Sequence, residues 1–269
     1  MTIADYGTAA LLGAVEGITE FLPVSSTGHL IFLIDLLGFR GPPGRVFEVV
    51  IQLGAIIGVC WVYRERLLRL SADPLSQASR HLLLLLLLGF LPAAAIGFVG
   101  HDFIKSVLFS PWVVSVALVV GGIAIILLEK FLPIEQPQTL DGMPATKALQ
   151  VGFFQALAMI PGTSRSAATI MGGRMLGLSR GVAAEFSFLL AIPTMLAASG
   201  YDLIKNAAQI DAEGAGLLAT GFVIALLTAV ASVRWLVGFV SNHSFAGFGW
   251  YRVVLGSCMV LILLLRSSL

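Results

Sequence analysis

The chain is poor in charge and in cysteine. Of its 269 residues, 12% are charged and 58% are hydrophobic, whereas a soluble domain is about 25% charged. The net charge of +1 lacks the basic excess of proteins that bind nucleic acid, so no nucleic-acid partner is predicted. Cys60 and Cys258 lie in separate apolar segments and indicate neither a disulfide framework nor a metal site. The low charged fraction and the high hydrophobic fraction predict a polytopic membrane protein, with residues 1–269 as one integral membrane domain.

Six apolar segments reach or approach the length of about 20 residues that a membrane span needs. They lie at about 47–63, 82–100, 111–128, 182–203, 214–234 and 247–265. Two further apolar stretches, 7–37 and 148–177, are interrupted near Pro23 and Pro161. Proline breaks a helix and serine and glycine favour turns. Each of these stretches is therefore predicted to be either one kinked span or a re-entrant helix–turn–helix hairpin.

A weak internal repeat favours the hairpins. A Pro-x-(Ser/Thr)-Ser break and a glutamate near the start of a span each recur at nearly the same offset. The matched pairs are 23–26 with 161–164, and Glu48 with Glu185. Each half, about 1–132 and 147–269, then has one hairpin and three spans, and three crossings invert the second half. The predicted fold is an all-α polytopic membrane protein with six transmembrane helices and two re-entrant hairpins in two inverted repeats.

Basic residues are unevenly shared between the two sides of the predicted bundle. Ten fall on one side and five on the other, which places the richer side in the cytoplasm. The first hairpin then enters from outside and the second from the cytoplasm, so that their tips can meet. The ten are Arg64, Arg66, Arg69, Arg80, Lys130, Lys147, Arg174, Arg180, Arg234 and Arg252, and the five are Arg40, Arg45, Lys105, Lys205 and Arg266.

Two carboxylates precede the first break. Glu16 and Glu20 are four residues apart, so on a helix they share one face. Like charges repel at this spacing, and carboxylates at bilayer depth are costly. They are therefore expected to have a partner, which could be a bound cation, a nearby arginine or a shared proton. Both residues are candidate metal ligands, and either could act as a base.

Hydroxyl side chains follow the first break. Ser25, Ser26, Thr27 and Gly28 open a new half-helix, whose free N–H groups and dipole favour an anion. A hydroxyl there could be a nucleophile, with His29 three residues after Ser26 on the same side of the helix. The alternative is that a serine only caps the helix.

Arg165 stands out in the second break. An isolated arginine in an apolar stretch indicates a function, and its planar fork suits phosphate oxygens. The alternative is a structural salt bridge to Glu16 or Glu20. Residues around it are candidate substrate contacts, namely Gly162, Ser164, Ser166 and Thr169.

Three further polar residues lie near the starts of spans. Glu48 could contact the site residues without touching the substrate, and Gln52, one turn later, could contact the substrate. Glu185, the repeat match of Glu48, could do the same, cap its own helix, or pair with Arg174 or Arg180.

At these residues the chain resembles the undecaprenyl-diphosphate phosphatase family, the bacitracin-resistance proteins of bacteria. The matching motifs are the Glu-x-x-x-Glu run at 16–23, Ser-Ser-Thr-Gly-His at 25–29 and Pro-Gly-x-Ser-Arg-Ser at 161–166. Segments 47–54 and 185–191 also match, and the resemblance covers essentially the full length. Ala167 stands where the family often has glycine, which is a mild departure.

The resemblance implies an enzyme that removes one phosphate from undecaprenyl diphosphate and so recycles the lipid carrier for peptidoglycan synthesis. It implies catalytic roles for Glu16, Glu20, Ser26, His29 and Arg165, and a divalent cation, Mg²⁺ or Ca²⁺. It also implies an outward-facing site in the bacterial plasma membrane and a homodimer. The nucleophile stays open among Ser26, His29 and water. Because inverted repeats with crossed hairpins also suit transporters, a polyprenyl-phosphate flippase is the alternative function.

Overall fold

The computed structural model describes residues 3–39, 41, 46–103, 110–133, 138–206 and 212–267. Three of the basic residues counted above, Arg40, Arg45 and Lys105, lie outside these ranges. The described residues form α-helices and short 3₁₀ turns, without a strand. The helices are α1 Ile3–Thr19, α2 Ser26–Leu37, α3 Val46–Val62, α4 Arg64–Ala72, α5 Gln77–Phe103, α6 Pro111–Phe131, α7 Ala145–Ala156, α8 Arg165–Met175, α9 Arg180–Asn206, α10 Ala212–Val240 and α11 Ala246–Ser267.

The predicted spans appear as five long apolar helices and one bent helix pair. Among the described residues, α5, α6, α9, α10 and α11 are long and apolar enough to cross a membrane. α3 is shorter, and after Tyr63 the chain bends by 75° into α4. Counted as one broken span, this pair is the sixth. The chain is thus a multi-pass, all-α membrane protein, as its composition predicts.

The two interrupted stretches form helical hairpins. α1 packs against α2, and α7 packs against α8, so in each case the chain turns back at the break. Ser25 and Ser164 lie in the breaks with φ of 70° and 72°, a conformation that is uncommon for residues other than glycine. The hydroxyl of Ser25 accepts a hydrogen bond from the N–H of Gly28, and that of Ser164 from the N–H of Ala167. Each serine therefore caps the helix that follows.

These caps refine the internal repeat. The proline match pairs Ser25 with Thr163, whereas the shared backbone conformation and capping role pair Ser25 with Ser164. The proline match is therefore wrong by one residue. The reason is local, because Pro23 lies two residues before its cap and Pro161 lies three before its own.

Helix α10 is held between α1 and α3 at very short range. Gly13 of α1 and Gly54 of α3 lie against successive carbonyls of α10, those of Gly221 and Phe222. A methyl group at either glycine would overlap with the facing carbonyl oxygen. Small residues let transmembrane helices approach this closely and pack by van der Waals contact. The first hairpin is thus fixed against α10 and, through it, against α3.

The tips of the two hairpins touch each other. The Ser166 hydroxyl, at the start of α8, donates a 2.7 Å hydrogen bond to the carbonyl of Leu22 in the first break. Irregular backbone at membrane depth must find such partners inside the protein. This contact brings the polar residues of both breaks to one place.

Candidate active site

Glu20, Ser26 and Arg165 form the centre of the site. The Ser26 hydroxyl donates a short hydrogen bond to Oε2 of Glu20, and both side chains are buried. The other carboxylate oxygen of Glu20, Oε1, lies 3.6 Å from Nη2 of Arg165. From the sequence, each of these residues is a separate candidate. In the structure they are in contact, with Glu20 and Ser26 in the first hairpin and Arg165 in the second. A hydroxyl bonded to a carboxylate beside a guanidinium can be deprotonated next to a bound anion.

Arg165 has unused hydrogen-bonding capacity. Its Nη1 donates a 2.9 Å hydrogen bond to the carbonyl of Ser187 on α9, and its guanidinium lies 5.7 Å from the ring centre of Phe21. Nε and Nη2 are buried and have no hydrogen-bond partner among the described residues. A buried N–H without an acceptor is costly. These two donors therefore suit the oxygens of a phosphate group.

Glu16 is the second buried carboxylate of the site. It is 2% exposed and lies within electrostatic reach of Glu20 and Glu48. The described part of the chain contains no group of three His, Cys, Asp or Glu side chains placed to hold a metal. Carboxylate oxygens nevertheless fit a hard cation, and Mg²⁺ is often held by one or two carboxylates with water and substrate phosphates. Glu16 and Glu20 fit that kind of site.

His29 is turned away from Ser26. Its Nδ1 lies 2.7 Å from the carbonyl oxygen of Ser25, and its Nε2 lies 2.6 Å from the hydroxyl of Tyr251 on α11. Because a carbonyl only accepts, Nδ1 carries a proton, and Nε2 of the neutral ring accepts from Tyr251. The two rings also stack. The spacing suggested that His29 assists Ser26, but the side chain that contacts Ser26 is Glu20.

Three other candidates, Ser25, Gly28 and Gly162, shape the backbone around the site. Ser25 caps α2 through Gly28, as described above, and Thr27 is exposed. Gly162 has φ of 94°, and a methyl group there would overlap with the carbonyl of Val114. The second break therefore requires glycine at this position.

The hydroxyls of the second hairpin are engaged within the protein. Ser164 and Ser166 lie with their Oγ atoms 3.0 Å apart, and Ser166 also reaches the first break. Thr169 donates to the carbonyl of Arg165, and its Oγ1 lies 2.6 Å from the hydroxyl of Ser187. These contacts fix Arg165 between α8 and α9.

The polar residues near the span starts lie in different surroundings. Glu48 is half-buried and near Glu16, whereas Gln52 accepts a 2.7 Å hydrogen bond from the Ser199 hydroxyl. Glu185 pairs with Arg66, whose guanidinium also contacts Asp141. The expected pairing of Glu185 with Arg174 or Arg180 is wrong, because both of these arginines contact Glu129. Arg66, which the sequence gave no reason to choose, comes from α4 across the fold.

Replacing Glu185 with glutamine is expected to change kcat by less than about threefold, because its partner is Arg66 rather than a group at the Ser26 site. A partly exposed ion pair contributes little to stability, so the melting temperature should also change little. Turnover and thermal unfolding of the purified variant in detergent check this. A tenfold loss of turnover in a folded Glu185→Gln protein would contradict this prediction and show that Glu185 contributes to the active site.

Two residues of α11 belong to the site although the sequence did not single them out. Tyr251 contacts His29, and Arg252 is completely buried between the hairpin tips. Arg252 had been counted among the basic residues at a membrane face, and that placement is wrong. The signal that identified Arg165, a lone arginine in an apolar segment, also applied to Arg252.

Comparison with known proteins shows which family the chain belongs to. A family model described as "Bacitracin resistance protein BacA" matches residues 9–258. Undecaprenyl-diphosphatase 2 of Paramagnetospirillum magneticum is 50% identical over 258 residues, which cover 96% of this chain and 99% of that protein. Undecaprenyl-diphosphatase of Aromatoleum aromaticum is 52% identical over 95% of this chain and 94% of its own length. Undecaprenyl-diphosphatase 3 of Acinetobacter baylyi is 49% identical over 95% and 97%. The chain therefore belongs to the BacA family of bacitracin resistance proteins.

Proposed function

We propose that the protein is a membrane-embedded phosphatase that hydrolyses undecaprenyl diphosphate to undecaprenyl phosphate and inorganic phosphate. The observation that carries this proposal is the Ser26–Glu20 hydrogen bond facing the unused donors of Arg165. The relatives named above are about half identical to this chain along nearly their whole length and carry the name undecaprenyl-diphosphatase.

The reaction starts with the diphosphate held by Arg165. Its Nε and Nη2 donate to oxygens of the terminal phosphate, while Glu20 accepts the proton of the Ser26 hydroxyl. Oγ of Ser26 then bonds to the terminal phosphorus, and the bond from that phosphorus to the bridging oxygen breaks. The lipid monophosphate leaves with the bridging oxygen. Water attacks the phosphoserine, the bond from phosphorus to Oγ breaks, and Oγ takes its proton back from Glu20. Inorganic phosphate leaves with the oxygen and protons of the water, and Ser26 and Glu20 are restored. As in other phosphoryl transfers, most catalysis comes from positioning and charge stabilisation.

A divalent cation, Mg²⁺ or Ca²⁺, would be held by Glu16 and Glu20 and would neutralise charge on the diphosphate when bound. Glu16→Gln should therefore raise the cation concentration for half-maximal activity about tenfold. Titration of Mg²⁺ into chelator-treated protein measures this, with Glu65→Gln, an exposed carboxylate of α4, as control. Equal cation requirements for Glu16→Gln and the parent would remove Glu16 from the cation site.

The polyprenyl tail would leave the site between α2 and α11. Thr27 of α2 is exposed and Tyr251 of α11 is 47% exposed, so the site opens on this side. An apolar cavity of about 640 Å³ lies between α6 and the second hairpin. It is lined by Ala168 and Met171 of α8 and by Thr163 in the second break, whereas Thr169 of α8 faces α9.

We place the protein in the bacterial plasma membrane with the site facing outward. Without Arg252, the basic residues still divide nine to five, which supports this orientation. A homodimer is part of the proposal, and its test is the mass of the purified protein after subtraction of bound detergent.

A polyprenyl-phosphate flippase is the second candidate. The observation that favours it is the pair of similarly capped hairpins, Ser25 and Ser164, whose tips meet at the polar site. Broken helices that meet in this way form the substrate sites of many transporters. Because transport requires a membrane and hydrolysis does not, the two functions separate in detergent.

The decisive experiment measures inorganic phosphate released from undecaprenyl diphosphate by the purified protein in detergent. It compares the parent with and without chelator, Glu20→Gln, and Glu185→Gln as the matched control. Release that chelator and Glu20→Gln both abolish, and that Glu185→Gln retains, supports the metal-dependent phosphatase. No release from folded protein that still binds the lipid would make the flippase the leading function.

A further inference from the structure

Arg252 is the largest side chain that is completely buried in the described structure. It lies on α11, and no carboxylate in the described part of the chain forms an ion pair with it. An arginine at membrane depth is costly and usually pairs with carboxylates or backbone carbonyls. The partners of the Arg252 guanidinium therefore indicate its role in the protein.

Among the described residues, the guanidinium of Arg252 donates only to backbone carbonyls. Nη1 reaches Pro23 at 3.3 Å and Thr163 at 2.8 Å, so a single nitrogen joins the two hairpin breaks. Nη2 reaches Gly162 at 3.0 Å. It also donates to Ala117 of α6 at 3.1 Å, and Nε lies 3.4 Å from the carbonyl of Leu118. Arg252 thus links α11, α6 and both hairpin tips.

We propose that Arg252 is a positioning residue that sets the distance between the two halves of the active site. Pro23 precedes the cap of α2, whose first residue is Ser26, and Thr163 precedes the cap of α8, whose first residue is Arg165. By holding these two breaks together, Arg252 places the Ser26 hydroxyl opposite the Arg165 guanidinium. This inference rests on the proposed phosphatase function.

A purely structural role would be to satisfy carbonyls that the helix breaks leave free. Lysine could satisfy some of them and would keep the charge, but it lacks the planar fork that reaches both hairpins. The two roles therefore differ in what Arg252→Lys does to turnover in a protein that is still folded.

Gly121 of α6 offers a second variant that leaves Arg252 in place. A methyl group at Gly121 would overlap with Nη2 of Arg252, so Gly121→Ala should displace the guanidinium without removing its charge or donors. Gly238 of α10 has nothing within 4 Å of the corresponding position, so Gly238→Ala is the matched control.

Arg252→Lys and Gly121→Ala are both expected to lower kcat about 10- to 100-fold with KM changed less than about threefold, because misplaced groups lose transition-state contacts. Gly238→Ala should match the parent. The assay is phosphate release in detergent, with the melting temperature of each variant measured beside it. A kcat equal to the parent's in folded Arg252→Lys and Gly121→Ala would overturn the proposal.

A distance measurement tests the same idea without activity. Spin labels at Thr27→Cys on α2 and Leu157→Cys beside α7, both exposed positions, report on the two hairpins after Cys60→Ser and Cys258→Ser. Electron–electron double resonance should give one narrow distance in the parent background and a broader or shifted distribution with Arg252→Lys. Unchanged distances would overturn the proposal. If the parent releases no phosphate, the proposed function fails while this measurement still decides the role of Arg252.

Discussion

Replacing Ser26 with alanine is expected to lower kcat for phosphate release about a thousandfold, because the attacking oxygen and its proton acceptor are lost together. Ser26 is buried and hydrogen-bonded to Glu20, and no other hydroxyl in the described structure contacts that carboxylate. KM should change less than kcat, since Arg165 still binds the phosphate. Phosphate release from undecaprenyl diphosphate by the purified variant measures the effect.

The control for this variant is Ser115→Ala. Ser115 is also a fully buried serine, but its hydroxyl donates to the carbonyl of Pro111 within α6. Acid quenching of the parent during turnover with substrate labelled at the terminal phosphate should also trap label on Ser26, because phosphoserine is stable in acid. A Ser26→Ala protein with near-full turnover would remove the serine nucleophile, and water activated by Glu20 would take its place.

Replacing Arg165 with lysine is expected to lower kcat/KM by about 10²- to 10³-fold, the loss typical for a preorganised donor at a site of developing charge. Nε and Nη2 are buried and have no hydrogen-bond partner in the described structure, although Nη2 also pairs with Glu20, and Nη1 is fixed on the Ser187 carbonyl. Lysine keeps the charge but presents one nitrogen, which cannot hold Ser187 and two phosphate oxygens with the same geometry. Steady-state kinetics on folded protein measures the loss.

Arg266→Lys is the matched control, because Arg266 forms an exposed ion pair with Asp35 at the end of α11. It should behave like the parent. Parent-like activity in Arg165→Lys would leave Arg165 only the structural role of pairing with Glu20 that the sequence also allowed.

The spans and breaks were predictable because they depend on local composition. Apolar length identifies a membrane helix wherever it packs, and Pro23 and Pro161 interrupt helices whatever surrounds them. The sequence also predicted that Glu20, Ser26 and Arg165 lie near one another, because the inverted repeat places the tips of the two hairpins together.

The orientation of side chains at the site was not predictable from spacing. His29 and Ser26 share a side of α2 in sequence, but Tyr251 of α11 holds the imidazole, and Glu20 holds the hydroxyl. Arg252 was missed for the same reason. A one-dimensional count assigned it to a membrane face, whereas its carbonyl partners come from α6 and both breaks.

The glycine contacts of α10 bear on how the molecule could move. Gly13 and Gly54 bring α1 and α3 into backbone contact with α10, so these three helices would travel as one rigid block in any rocking motion. α6 and α11, which pack together, would form the opposing block. The hinge plane between the blocks would then cross the hydrogen bond from Arg252 to Pro23 and the His29–Tyr251 pair. A protein that carried lipid by alternating access would have to break those contacts once in every cycle, whereas a stationary hydrolase could keep them throughout.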